Sequence, residues 1–345
     1  MRNLLVRGLA VGLATVLGAV TWAGAAQADT RPGDAPAGSA SPTSVNPSAV
    51  AASFAFSQYA TVSPAAGWSF VSGNFAGDSR SDVVGYHPSN GSVWVGTNTG
   101  TSFTFAQYAT VGPAAGWSFV AGNFAGDSRL DIVGYHPSNG SVWVGTNTGT
   151  SFTFAQYATV SPAAGWSFVS GNFAGDSRSD LVGYHPSNGS IWVGTNTGFN
   201  FGFTQRALVA PPSGWTFVSG NFGGDSRTDI VGYHSGNGSL WRGTNTGASF
   251  AFFQTGGVTP PAGWSITAGN FAGDGLTDIV VNHPSNGILW QGTNTGFGFS
   301  FSQYAQVTPT ANWSFVAGNY AGDARSDVVG YHPSNGSLWV GTTIN

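Results

Sequence analysis

Trp68, Trp117, Trp166, Trp215, Trp264 and Trp313 stand 49 residues apart each time, and Asp78, Asp127, Asp176, Asp225, Asp274 and Asp323 keep the same step. Six copies run from Ser53 to Asn345 without an insertion, and the first (53–101) differs from the second (102–150) only at residues 55, 57, 63, 72, 81 and 83. Self-similarity at such a period means an array, in which each unit buries its apolar faces against its neighbours. Twelve of the 14 Asp, all six His and twelve of the 13 Trp occupy equivalent positions. Whatever chemistry the chain performs is therefore expected six times.

Within a copy the hydrophobic period is two, in short β-branched or aromatic runs bounded by Gly, Pro and Asn. In the second copy the expected strands are Phe103 to Val111, Trp117 to Phe124, Asp131 to His136 and Ser141 to Asn147, with Pro137-Ser138-Asn139-Gly140 as a tight turn between the last two. Alternation puts Trp117 and Phe119 opposite Val120, and Val142 and Val144 opposite Trp143, so both faces are apolar. A sheet buried on both faces needs neighbours on both sides, which a ring supplies without polar end caps. The expectation is all-β: a six-bladed β-propeller of 49-residue four-stranded repeats over 53–345. Counting blades from the Trp strand, the first strand after residue 52 completes the sixth blade and straps the ring shut, removing its free edge.

Composition excludes several functions. There is no Lys, Glu or Cys, so lysine covalent catalysis, a glutamate base, thiolate chemistry, disulfides and Cys-held metals are absent. A net charge of −4 offers no basic stripe for nucleic acid or an anionic membrane surface. Arg2 and Arg7 precede an apolar run to about Trp22 and a small-residue cleavage pattern at Ala26-Gln27-Ala28, which reads as a secretory signal peptide over 1–28. Its loss leaves 8 bases against 14 acids, a net of −6. Residues 29–52, rich in Pro, Ala and Ser, read as a flexible linker. The mature protein is expected to be secreted, with no membrane insertion.

The nonapeptide Asn74-Phe-Ala-Gly-Asp-Ser-Arg-Ser-Asp82 and its five equivalents resemble the FG-GAP or VCBS repeat of integrin α-subunit propellers, related bacterial secreted proteins and some propeller lectins. The resemblance implies a calcium loop with Asn74, Asp78 and Asp82 as side-chain ligands. In the other copies these are Asn123, Asp127 and Asp131; Asn172, Asp176 and Asp180; Asn221, Asp225 and Asp229; Asn270, Asp274 and Asp278; and Asn319, Asp323 and Asp327. The family's third loop position, an oxygen donor there, is Ala76 here and Ala or Gly in every copy. Two carboxylates per loop fall short of the six to eight oxygens calcium takes, so weak or absent binding is expected and no cofactor is required. The other reading is a loop held by hydrogen bonds from its own backbone N–H groups.

A second constellation joins an aromatic face to amide and imidazole groups: Tyr86, His87, Asn90 and Trp94; Tyr135, His136, Asn139 and Trp143; Tyr184, His185, Asn188 and Trp192; Tyr331, His332 and Trp339. The fourth and fifth copies keep His234 with Trp241 and His283 with Trp290. Such a set suits a sugar ring, whose C–H face stacks while its hydroxyls bond. It suits equally a Trp buried between blades and a His that tethers the hairpin. One His per blade cannot assemble a multi-His zinc site, and near-identical copies provide no single place for a nucleophile and its base. No catalytic residues are expected. The leading expectation is a secreted, non-enzymatic, multivalent protein that binds glycans such as a cell-surface polysaccharide. The alternative is an integrin-like adhesion scaffold for a surface protein, with calcium as an optional ligand of its loops.

Overall fold

The computed structural model describes residues 53–260, 262–308 and 312–344. The leader expected at 1–28 and the linker at 29–52 lie outside the described residues. Among the described residues are 24 strands, numbered in chain order, in six four-stranded antiparallel sheets. The chain enters on β1 (Ser53–Thr61) and then builds a whole sheet from β2 (Ser69–Gly73), β3 (Asp82–His87), β4 (Ser92–Asn98) and β5 (Phe103–Thr110). Sheets β6–β9 (118–159), β10–β13 (167–208), β14–β17 (215–257) and β18–β21 (265–306) repeat this order. The last sheet takes β22 (Ser314–Gly318), β23 (Asp327–His332) and β24 (Ser337–Ile344) from the C-terminal end and β1 from the other. The innermost strands β2, β6, β10, β14, β18 and β22 neighbour one another in a closed circuit.

The fold is a six-bladed β-propeller.

The strap is a full strand pairing: β1 runs antiparallel to β24 from Ser53 opposite Ile344 to Thr61 opposite Ser337. The second strand of the second copy is shorter than expected, Ser118–Gly122 rather than 117–124. Beyond Gly122 the chain turns, the Phe124 N–H donating to the Gly122 carbonyl at 3.1 Å, and the Phe124 ring is buried in the packing between blades. In the expected hairpin turns, Gly91 closes the loop with its N–H on the His87 carbonyl at 3.0 Å. Its φ is +70°, and a Cβ there would lie 2.2 Å from the Val111 carbonyl of the next loop, so glycine is required on both counts.

The strands β3 and β7 are buried at every residue, on both faces, as a stacked sheet demands. One interblade core joins Phe75, Val84, Tyr86, Val93 and Val95 of the first blade to Ile132 and Phe152 of the second. Each such side chain is worth about 1.5–3 kcal/mol of burial. Polar stitching runs alongside: Asn147 Nδ2 donates to the Phe75 carbonyl of the preceding blade at 2.8 Å, and the Leu130 N–H donates to the Asn74 carbonyl at 3.0 Å. At the strapped blade Ser81 donates to the Asn319 carbonyl at 2.7 Å, so the belt closes.

Candidate functional site

The loop from Pro64 to Gly67 delivers Trp68 to the start of β2. The Trp68 indole N–H donates to the Pro64 carbonyl at 2.8 Å, and the ring stacks beside Phe70 at a centroid distance of 6.1 Å. Both rings lie over Gly85 of β3. A Cβ at Gly85 would meet Phe70 Cε1 at 2.8 Å and Trp68 Cε3 at 3.2 Å, so the aromatic pair and the glycine require each other. In β4, Trp94 stands directly opposite Gly85, half-buried on the same face.

Trp68, Trp94 and Phe105 thus form one wall of a groove between blades. Thr61, Val62 and Ser63, at the end of β1 in the strapped blade, form the other, enclosing a cleft of about 170 Å³. Sites for drug-sized ligands start near ~300 Å³, so this cleft fits a single terminal ring better than an extended molecule. None of its six lining residues is charged. The same strand pairings and Trp–His packing recur at Trp117 with Trp143 and at Trp166 with Trp192.

Of the other residues singled out in the sequence, Tyr86 and His87 stand behind this wall and Asn90 lies exposed in the hairpin turn. His87 is buried at 5% exposure, edge-on to Trp68 at 5.0 Å. Its Nε2 is 3.0 Å from the Ala66 carbonyl, while its Nδ1 meets the Ser89 hydroxyl at 2.8 Å and the Ser89 N–H at 3.3 Å. Both ring nitrogens are spent bracing the Trp68 loop against the hairpin. His136, His185 and His283 repeat the brace, and His234 and His332 hold the same edge-on place against Trp215 and Trp313. Tyr86 is buried, and its hydroxyl donates to the Ala114 carbonyl of the next blade. Tyr135, Tyr184 and Tyr331 make the equivalent bond to Ala163, Pro212 and Ala65. Burial pushes these phenols up, Tyr184 to about 12. Asn90 accepts the Ser92 N–H at 3.0 Å and shapes the turn, as Asn139 and Asn188 do in theirs.

The tryptophans of β4 and its equivalents (Trp94, Trp143, Trp192, Trp241, Trp290, Trp339) are the aromatic members of that set left half-exposed. Trp68 and the β1 hydroxyls were not among the candidates read from sequence. Trp68 is as regularly repeated as Trp94, but nothing in a repeat says which of two repeated rings faces the gap.

At the opposite end of the strands, the nonapeptide loop is closed by its own hydrogen bonds. Asp82, fully buried, accepts the Phe75 and Ala76 N–H groups on Oδ2 at 2.8 and 2.7 Å and the Asn98 N–H on Oδ1 at 2.8 Å. Asn74 Oδ1 accepts the Gly77 and Asp78 N–H groups at 2.7 and 3.1 Å, its Nδ2 donates to the Asp78 carbonyl, and Asp78 Oδ1 accepts the Arg80 N–H at 2.7 Å. Where the resemblance calls for an oxygen, Ala76 presents an N–H to the same carboxylate a metal would use. The residues present do not fit a calcium ion. Asp131, Asp180, Asp229, Asp278 and Asp327 are bound in the same way, and among the described residues no three His, Asp or Glu side chains gather as a metal cluster. Burial pushes each of these six carboxyls up, while the backbone N–H groups pull the other way.

No protein-family model and no curated protein matches the chain. Solved structures do share its fold. One describes recognition of non-reducing terminal N-acetylglucosamine by an Agrocybe aegerita lectin, with a TM-score of 0.56 at 16% identity over 77% of this chain and 74% of that one. AofleA from Arthrobotrys oligospora matches at TM-score 0.51 and 14% identity, over 85% of this chain and 83% of that one. A third is the Photorhabdus luminescens Tc holotoxin pore, at TM-score 0.56 and 14% identity, where the match spans 84% of this chain but 14% of that one. Identities this low speak for the ring of blades alone.

Proposed function

We propose that the protein is a secreted, non-enzymatic carbohydrate-binding protein that takes a terminal sugar ring in the grooves between its blades. The observation that carries this is the uncharged cleft walled by two half-exposed tryptophans and rimmed by the hydroxyl residues Thr61 and Ser63. An indole face packs against sugar C–H groups while rim hydroxyls bond the ring's own. A shared fold with a lectin that recognises non-reducing terminal N-acetylglucosamine supports the reading and places that sugar among the first to try. Several weak sites on one rigid disc gain avidity on a surface dense in repeating glycan. No metal takes part. The test is a glycan array probed with the chain from residue 29 onward, with calcium and with chelator, beside the Trp94→Ala variant. Binding of a defined neutral glycan in both conditions, weakened by the substitution, is expected. Failure to bind any glycan would sink the reading.

A second reading, adhesion to a protein, is favoured by Phe199 and Phe297, which are 86% and 92% exposed on loop tips at the other end of the strands from the groove. Binding to a fully deglycosylated partner, lost on replacing both by Thr, would move that reading ahead.

A further inference from the structure

Resting on the carbohydrate reading, we propose that saccharide binding is confined to three consecutive grooves, those of Thr61 with Trp94, Thr110 with Trp143 and Thr159 with Trp192, and that the other three are silent.

The rim residue decides this. Thr61 Oγ1 accepts the Gln58 amide N–H at 2.9 Å, and the Gln107–Thr110 and Gln156–Thr159 pairs have the same length. A hydroxyl that accepts one bond still owns its O–H to donate, and the glutamine holds it in place at the mouth of the cleft. In the remaining copies this position is Leu208, Gly257 and Gln306. Leu208 is 64% exposed and apolar, Gly257 has no side chain, and the Gln306 amide is turned away to the Asn286 carbonyl at 3.0 Å.

The fourth groove is altered once more: the Trp241 indole N–H is engaged by the Ser239 hydroxyl at 3.1 Å. The Ser63 position does not sort the grooves, being Gly112, Ser161, Ala210, Thr259 and Thr308 in the other copies. Among the described residues no acceptor meets the indole N–H of Trp94, Trp143 or Trp192, and none of these nitrogens is buried without a partner. Each intact groove therefore offers a glutamine-held rim hydroxyl and a free indole donor; the fourth offers neither, and the fifth and sixth lack the held hydroxyl. Losing one hydrogen bond to a sugar hydroxyl costs on the order of tenfold in affinity, and losing two roughly a hundredfold. The ligand class follows from the lining: with no charged residue in the cleft, the ring is an uncharged hexose or N-acetylhexosamine, and uronic or sialic acids are excluded.

The test is titration of the intact protein with three neutral probes, tri-N-acetylchitotriose, mannotriose and lactose, followed by calorimetry and by indole N–H resonances assigned through single Trp→Phe variants. A stoichiometry of three is expected, with the Trp94, Trp143 and Trp192 signals moving and the Trp241 signal fixed. Thr61→Val should remove one site at unchanged melting temperature, and Leu208→Thr should raise the fourth groove's affinity about tenfold. Six equal sites, or shifts led by Trp241, Trp290 or Trp339, would overturn the proposal and leave the carbohydrate reading standing. No indole shift with any probe would overturn both.

Discussion

Gly85 shows how one position can set a wall. Replacing it with Ala drives a methyl group into Phe70 and Trp68, and overpacking of that kind costs about 1–3 kcal/mol. The fifth copy contains the compensated version: Val281 stands at the glycine position and Ile266 at the Phe70 position. Gly85→Val alone is therefore expected to lower stability by that amount, and Phe70→Ile added to it to restore most of the loss, as a double-mutant cycle by denaturant melt would show. Tyr86→Phe is expected to cost about 1 kcal/mol by leaving the Ala114 carbonyl short of a donor. Sugar binding should survive that change, because the phenol lies behind the groove. The buried carboxyls make stability depend on pH. Their folded values lie above the unfolded ones, so the folded ring holds more protons between the two, and its stability falls as pH rises through that window. The calorimetric midpoint should accordingly rise as the pH is lowered from neutral toward ~4. A falling midpoint would mean that the N–H groups on Asp82 outweigh its burial.

Among the elements, the Asp82 loop acts as a clasp between blades. Its carboxylate fixes three N–H groups of its own blade, and the Asn74 carbonyl takes an N–H from the next. A chelator should leave the melting midpoint where it was, whereas Asp82→Asn should lower stability by roughly 1–3 kcal/mol by turning one acceptor into a donor facing N–H groups. These residues also show what a sequence can reveal. The 49-residue period, the alternation and the Asn-Gly turns made the blade and the strap legible, because they depend on local geometry and on chain length. The roles of His87 and Tyr86 were not legible. A residue that braces a loop in every copy and one that touches ligand in every copy repeat with equal fidelity, and only the distance from His87 to Ala66 tells them apart. Trp68 was visible as a repeat, yet its place on the cleft depends on Thr61 and Ser63 of a different sheet.

At the scale of the whole molecule, the strap makes the last blade out of both ends of the described chain. Removing residues 53–61 would expose the edge of β24 and take Thr61 from the first groove, so such a truncation should aggregate and melt earlier than the intact ring. Light scattering alongside calorimetry would show it. The strap also shapes how such a ring can have come about. Because the junction falls within a sheet, one strand away from the unit boundary, a 49-residue stretch can be copied or excised anywhere along the chain and both ends still meet as β1 and β24 do. Blade number is then a matter of counting copies, limited by how many blades can close around the axis. Copy number and side-chain identity thereby separate: the first copies are near-identical while Leu208, Gly257 and Gln306 differ at the rim, and the ring closes all the same.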